Sequence, residues 1–166
     1  MLVVFLPKEN IYYFILENIK KDKIELTHNS IQDKYLKFII DDIKINYEGV
    51  EVSQVGSFDL DLFIYRTAIN LDKIKVDESF NKFVPSKIDN LSFTHTIFNP
   101  LYIDIDAKFK LGSCTGEIDL LNRIVSLNII VAKGFKTRYR YIVNQLKLSK
   151  EKTNNKEDVY TYEYKF

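Results

Sequence analysis

The chain has 166 residues, a mass of 19.6 kDa and 46% hydrophobic residues, which suits one folded domain. Twenty-four basic and 23 acidic residues leave a net charge of +1, which argues against a general nucleic-acid binder. One Cys and two His exclude an intramolecular disulfide framework, a multi-Cys zinc site and a His-rich metal centre.

The chain opens on an apolar run, Met1 to Leu6, followed by Pro7. Six residues are too few to cross a bilayer, which takes about 20. The run lacks the basic start and the small-residue cleavage site of a signal peptide. It reads either as the tail end of a membrane helix or as a first strand or buried tail. Pro7 can open a helix, and Ile11, Phe14, Ile15, Asn18 and Ile19 follow at helical spacing. Tyr12 and Tyr13 lie where a membrane-interface belt of aromatics is expected. Lys20, Lys21 and Lys23 suit the C-terminal end of the helix dipole. The same helix also fits a role as a core cover with solvated lysines.

From Ile24 to Val131 the pattern has period two. Ile43, Ile45 and Tyr47 alternate with polar residues, and Glu48-Gly49 reads as a hairpin turn into Val50 and Val52. Phe58, Leu60, Leu62 and Ile64 alternate with Asp59 and Asp61. The longest run is Leu101, Ile103, Ile105, Ala107, Phe109 and Leu111, after the turn signal Asn99-Pro100. Val125, Leu127, Ile129 and Val131 make another strand. The 11 Tyr and 12 Phe add to this preference for pleated, half-buried surfaces. One apolar and one polar face is the signature of an antiparallel sheet.

A weak internal repeat runs through this region. Ile40-Asp41-Asp42-Ile43, Leu71-Asp72-Lys73-Ile74 and Ile88-Asp89-Asn90-Leu91 each begin an apolar-Asp-polar-apolar pattern. The expected role of the Asp is to end a turn before the strand's apolar face begins. Residues 77–86 fit a short helix or loop closed by Pro85. Residues 136–150 read as a second helix, with Tyr139, Ile142, Val143 and Leu146 on one face. Residues 149–158 read as a polar, mobile loop. Tyr160, Tyr162, Tyr164 and Phe166 form a last strand with an aromatic face.

Three patterns have the letters of chemistry. Gly112-Ser113-Cys114-Thr115-Gly116 matches a nucleophile elbow, yet strand-like sequence follows it where a helix is required. Its bland reading is a glycine-flanked turn or bulge. The pairs Asp41-Asp42, Asp59/Asp61 and Asp104/Asp106 have the spacing to pinch a cation, without a calcium-loop signature, and read as solvated surface. Arg138-Tyr139-Arg140-Tyr141 interleaves cations and aromatics, as headgroup-binding surfaces do, and equally fits a snorkelling helix face.

The order of features carries a family resemblance. It rests on Phe5-Leu6-Pro7-Lys8-Glu9-Asn10, the strands around Ile43-Lys44-Ile45-Asn46-Tyr47-Glu48-Gly49-Val50, and Arg138-Tyr139-Arg140-Tyr141 through Leu146-Lys147-Leu148-Ser149-Lys150 to the Tyr-rich end. In that order the chain resembles the type II secretion protein N (GspN) family and, more distantly, the AsmA-like envelope proteins. The resemblance implies an inner-membrane helix, here absent or cut to the first residues, and a periplasmic β-rich domain without catalytic residues. The AsmA-like relatives imply a curved sheet whose apolar face holds lipid chains.

The expected fold is therefore mainly β: a curved antiparallel sheet of about seven or more strands, an N-terminal amphipathic helix and a second helix near the C-terminus. Residues 1–7 are an apolar remnant and residues 8–166 a single β-rich domain. The expected function is non-enzymatic: a membrane-tethered accessory or scaffold component of a type II secretion-like or other envelope assembly. It would lie on the periplasmic side of the bacterial inner membrane, with other envelope or secretion-machinery proteins as partners and no nucleic acid. The alternative is a lipid-binding or lipid-transfer module that holds phospholipid on the sheet face, and a remote alternative is a hydrolase built on Cys114. The candidate lipid- or partner-binding face comprises Leu101, Ile103, Ile105, Phe109, Leu111, Tyr160, Tyr162 and Tyr164. The membrane-proximal candidates are Leu6, Tyr12 and Tyr13. No catalytic residue, metal ligand or cofactor is assigned.

Overall fold

The alternating runs become strands of one open antiparallel sheet. The computed structural model describes residues 8–80, 85–132, 135, 137, 139–148 and 157–166. Helix α1 (Lys8–Lys20) comes first. The strands are β1 (Ile24–Thr27), β2 (Ser30–Lys34), β3 (Lys37–Tyr47), β4 (Val50–Phe63), β5 (Arg66–Val76), β6 (Lys87–Thr96), β7 (Tyr102–Phe109), β8 (Gly112–Asp119), β9 (Ile124–Ala132), β10 (Lys147–Leu148) and β11 (Glu157–Lys165). The eleven-stranded sheet has the order β1-β3-β4-β5-β6-β7-β8-β9-β11-β10, and β2 pairs with β3 off that path. From β3 to β9 it is a meander, each strand pairing with the next. Glu48 (φ 51°) and Gly49 (φ 82°) form the expected β3–β4 turn, because a tight hairpin turn of matching twist needs both central residues left-handed.

Directly paired residues share a face. One row reads Ile40, Phe58, Leu71, Leu91, Ala107, Cys114, Ile129 and Tyr160, from β3 across to β11. The next row reads Phe38, Leu60, Ile69, Phe93, Ile105, Gly116, Leu127 and Tyr162. These rows build a nearly continuous apolar face. Gly116 interrupts the second row because Leu127 fills its space: a Cβ there would lie 2.7 Å from Leu127 Cδ2 and 2.2 Å from the Ser126 carbonyl oxygen. The reverse face is largely polar.

The internal repeat has a different role from the expected one. Two of its copies lie mid-strand, in β3 and β5, and only the third, Ile88-Asp89-Asn90-Leu91, lies at a strand start, that of β6. Asp42 (φ 52°) and Lys73 (φ 54°) hold left-handed backbone inside β3 and β5. Each shifts the alternation by one residue, so that Ile40 and Ile43, or Leu71 and Ile74, reach the same hydrophobic cluster three positions apart. β4 makes the same step with Val55-Gly56-Ser57-Phe58, and β6 with Ile88-Asp89-Asn90-Leu91. Because neighbours step together, the register is unchanged across the line from β3 to β6. β7 does not step, and the β6–β7 register accordingly slips by one residue between Ile88 and Asn90. On the reverse face the same line is a polar ladder. Ser30 Oγ donates to Asp41 (2.7 Å), Ser57 Oγ to Asp72 Oδ2 (3.4 Å) and Asn90 Nδ2 to Asp72 Oδ1 (2.8 Å).

Two clusters anchor the apolar face. The first joins Phe38, Ile40, Ile43, Val55 and Ile74, with Tyr12 of α1 packed on it. Lys8, only 7% exposed, pins the start of α1 by pairing with Asp33 and donating to the Lys34 carbonyl (2.9 Å). The second cluster joins Val131, Phe135, Tyr139, Val143 and Tyr160.

Three expectations are corrected. The second helix does not extend to residue 150: among the described residues its continuous part is α2 (Arg140–Gln145). Leu146 is already extended (φ −99°, ψ 148°), because Lys147 and Leu148 leave the helix to pair with Thr161 and Tyr160 of β11. The long run 101–111 is shorter as a strand, with Leu101 and Leu111 in the flanking turns. Ile64 falls beyond the end of β4, at a hairpin apex. The apolar remnant 1–7 and most of the loop 149–158 lie outside the described residues.

The stepped line predicts an unusual glycine tolerance. Left-handed backbone costs a residue with a Cβ about 1–2 kcal/mol, while glycine's extra chain entropy costs about 0.5–1 kcal/mol. Lys73→Gly should therefore stay within about 0.5 kcal/mol of wild type in urea unfolding, while Lys75→Gly on the same strand loses about 0.5–1 kcal/mol. Gly56→Val should lose about 1–3 kcal/mol, since even a Cβ there meets Lys73 Cβ at 3.0 Å and the Asp72 carbonyl oxygen at 3.3 Å.

Candidate functional site

Beyond the stepped line the apolar face continues into a groove of about 650 Å3. Its lining is Ile24 of β1, Ile45 and Tyr47 of β3, Val52 and Ser53 of β4, Val76 of β5, and Phe80. Nearly all of the lining surface is apolar. Ser53 does not change that, because its hydroxyl donates to the Lys75 carbonyl (2.9 Å). β6 begins at Lys87, which pairs with Lys75, and the Val76 N–H bonds the Ser86 carbonyl (3.0 Å). The chain leaving β5 turns aside. Asp77 N–H bonds the Val52 carbonyl (3.0 Å), and Asp77 Oδ1 accepts from Ser79 N–H (2.9 Å) and Ser79 Oγ (2.5 Å). These bonds fix the 3-10 turn Glu78–Phe80 and lay Phe80 along the groove. The serine donors also hold the Asp77 carboxyl below its ordinary pKa. At the outer end, Lys23 pairs with Glu48 next to Ile24 and Tyr47. Lys44 pairs with Glu51 at 3.6 Å.

The expected face residues are placed as follows. Ile103, Ile105 and Phe109 lie on the apolar face of β7. Tyr160, Tyr162 and Tyr164 share that face on β11, opposite Ile129, Leu127 and Val125. Two strands, β8 and β9, separate the groups. Tyr160 is only 2% exposed beneath Tyr139 and Val143, so it is core. Leu111 packs on the same cluster, and Leu101 is exposed in a turn. Tyr12 packs its ring against Phe38 (centroids 5.9 Å) and its hydroxyl against His28 Nδ1 (3.1 Å), while Tyr13 faces solvent. Leu6 lies outside the described residues.

The chemical patterns resolve into local roles. Asp59 and Asp61 hold the Lys37 ammonium (3.1 and 3.8 Å), and that hydrogen bond to Asp59 raises the Lys37 pKa. Asp41 and Asp42 accept from Ser30 and Asn29. Tyr139 packs its ring at a tilt against Phe135 (centroids 4.6 Å) inside the second cluster, and Arg138 lies outside the described residues. Cys114 stands mid-strand in β8, between Ala107 and Ile129, with no elbow turn.

The groove was legible only in part. Ile45, Tyr47 and Val52 were visible as alternating strand residues. That Phe80 joins them depends on a turn geometry that the pattern of residues 77–86 left open.

Burial, aided by the Asp106 charge, pushes the Cys114 thiol up to about 11 from 9.0. At pH 8 the native thiolate fraction is then roughly 100-fold below that of the unfolded chain, and iodoacetamide should label native Cys114 slower by about that factor. The unfolded thiol ionises first as pH rises, so this group's contribution to stability falls between the two values, from pH 9.0 to about 11. No family model, curated protein or solved structure matches the chain.

Proposed function

We propose that the protein is a non-enzymatic lipid-binding module of the bacterial envelope that holds an acyl chain in the groove beside Phe80. The observation that supports this reading is the groove's chemistry: about 650 Å3 of almost wholly apolar lining on a one-layer sheet. Pockets of a few hundred Å3 with apolar walls are the usual size for small-molecule ligands. The charged pair Lys23–Glu48 at the outer end suits a ligand with a polar head and an apolar tail. Burial holds the Cys114 thiol neutral at physiological pH, which speaks against Cys114 as a nucleophile. The periplasmic face of the inner membrane is the location that fits this reading and the resemblance. Among the described residues no helix is long and apolar enough to cross a membrane.

A second reading, the scaffold component of a secretion-type assembly, is favoured by the middle of the apolar face. Phe93, Ile105, Ile118 and Leu127 are only half-buried and belong to neither hydrophobic cluster. An extended apolar patch of this kind suits a protein partner.

Native mass spectrometry of the chain extracted gently from its source membranes tests both. The lipid reading expects stoichiometric phospholipid or fatty acid. Losing the burial of one large apolar side chain costs a bound chain about 1.5–3 kcal/mol, so Phe80→Ala should weaken a fluorescent fatty-acid probe about 10- to 100-fold. A chain that carries no lipid and ignores the probe sinks the lipid reading. A lipid-free chain recovered with other envelope proteins favours the scaffold.

A further inference from the structure

The two ends of the sheet differ. In an antiparallel meander, alternate hairpins emerge at the same end. The β2–β3, β4–β5, β6–β7 and β8–β9 tips therefore line up along one end, about 10 Å apart, in a row of about 30 Å. Their apexes are apolar and exposed: Tyr35 (64%), Ile64 (86%), Phe98 (82%) and Leu121 (70%). Phe166 joins the row, its amide bonded to the Arg123 carbonyl (3.0 Å). At the opposite end the turns present Glu48-Gly49, Glu78-Ser79 and Lys110. Of the described residues in the turns at that end, the exposed large apolar ones are Tyr47 and Phe80, which line the groove, and Val50, which pairs with Tyr47.

Isolated exposed apolar residues are ordinary, but a row of them on successive apexes is a surface. We infer that this rim of hairpin tips is a docking edge for an anionic phospholipid bilayer, inserting its apexes into the interface. Three observations favour a bilayer over another occupant. First, the tips carry the amphipathic aromatics of a membrane interface beside purely aliphatic residues, with Phe63 and Tyr65 stacked (centroids 6.2 Å) flanking Ile64. Second, exposed cations stand beside the apexes: Lys34, Arg66, Arg123 and Lys165. The tip segments 34–37, 63–66, 97–101, 120–123 and 164–166 hold no Asp or Glu, and of the flanking carboxylates Asp33 pairs with Lys8 and Asp119 accepts from the Asn122 N–H (2.8 Å). That charge pattern fits anionic headgroups. Third, backbone bonds run from tip to tip. Leu62 N–H bonds the Leu36 carbonyl (2.8 Å), Ile97 N–H the Tyr65 carbonyl (3.2 Å) and Leu120 N–H the Leu101 carbonyl (2.9 Å). Unpaired backbone groups are what make a loop costly to place in lipid, and these amides are already paired.

The edge goes beyond the groove reading, since the two sites lie at opposite ends of the sheet and are tested apart. The chain contains no Trp, so a single introduced Trp reports on its own site. Phe98→Trp should shift to the blue and be quenched by brominated lipid when the full chain meets phosphatidylcholine vesicles containing phosphatidylglycerol. Lys110→Trp, in the β7–β8 turn at the opposite end and outside the groove lining, should not respond. Combining Ile64→Asp, Phe98→Asp and Leu121→Asp should lower vesicle co-sedimentation at least about tenfold, while the circular dichroism spectrum and the urea unfolding midpoint stay near wild type and report an intact fold. Arg66→Glu with Arg123→Glu should remove the preference for anionic vesicles. The inference is overturned if the wild type ignores both vesicle types, or if the triple variant sediments like wild type. It is equally overturned if the only change in the triple variant is a dimer becoming a monomer, which would make the rim a contact between copies.

Discussion

Side chains on a strand alternate between faces, and a one-layer sheet with one apolar side depends on every strand keeping that phase. Here four adjacent strands, β3 to β6, change phase along one transverse line. Left-handed Asp42 and Lys73 make the change in β3 and β5, and Gly56 lies between them in register. The neighbours must change together. A strand that stepped alone would turn its remaining apolar residues to the wrong side or slip its register, as β6 does against β7. The polar ladder through Asp41 and Asp72 gives the two residues between each apolar pair a place on the reverse face.

That line sets up the groove. Past it, Ile45, Val52 and Val76 face the same side as the core. The apolar strip meets the 3-10 turn, and Asp77 determines how Phe80 lies along it. The groove and the hairpin rim sit at opposite ends of one sheet.

Much of the fold was legible in the residues. Period-two alternation marked the strands, Glu48-Gly49 marked its hairpin, and the helical spacing after Pro7 marked α1. The repeat was legible as letters but not as geometry. Apolar-Asp-polar-apolar looks like a strand start, because a left-handed residue inside a strand leaves no trace in composition. The β4 member, Val55-Gly56-Ser57-Phe58, lacks the Asp altogether. Residues 136–150 carried a helical stripe, but cross-strand pairing of Lys147 and Leu148 with β11 overrode it.

An antiparallel sheet with one apolar face is written in the residue alternation, since alternation is a local property of each strand. Which apolar residues become core, groove or rim depends on long-range packing. Tyr160 and Phe98 are both aromatic residues next to strand sequence, yet one is sealed beneath Tyr139 and the other is 82% exposed at a tip. That difference depends on which strands end together and what crosses over them. Neighbouring residues along the chain do not encode it, because the contacts that decide it come from strands far away in sequence.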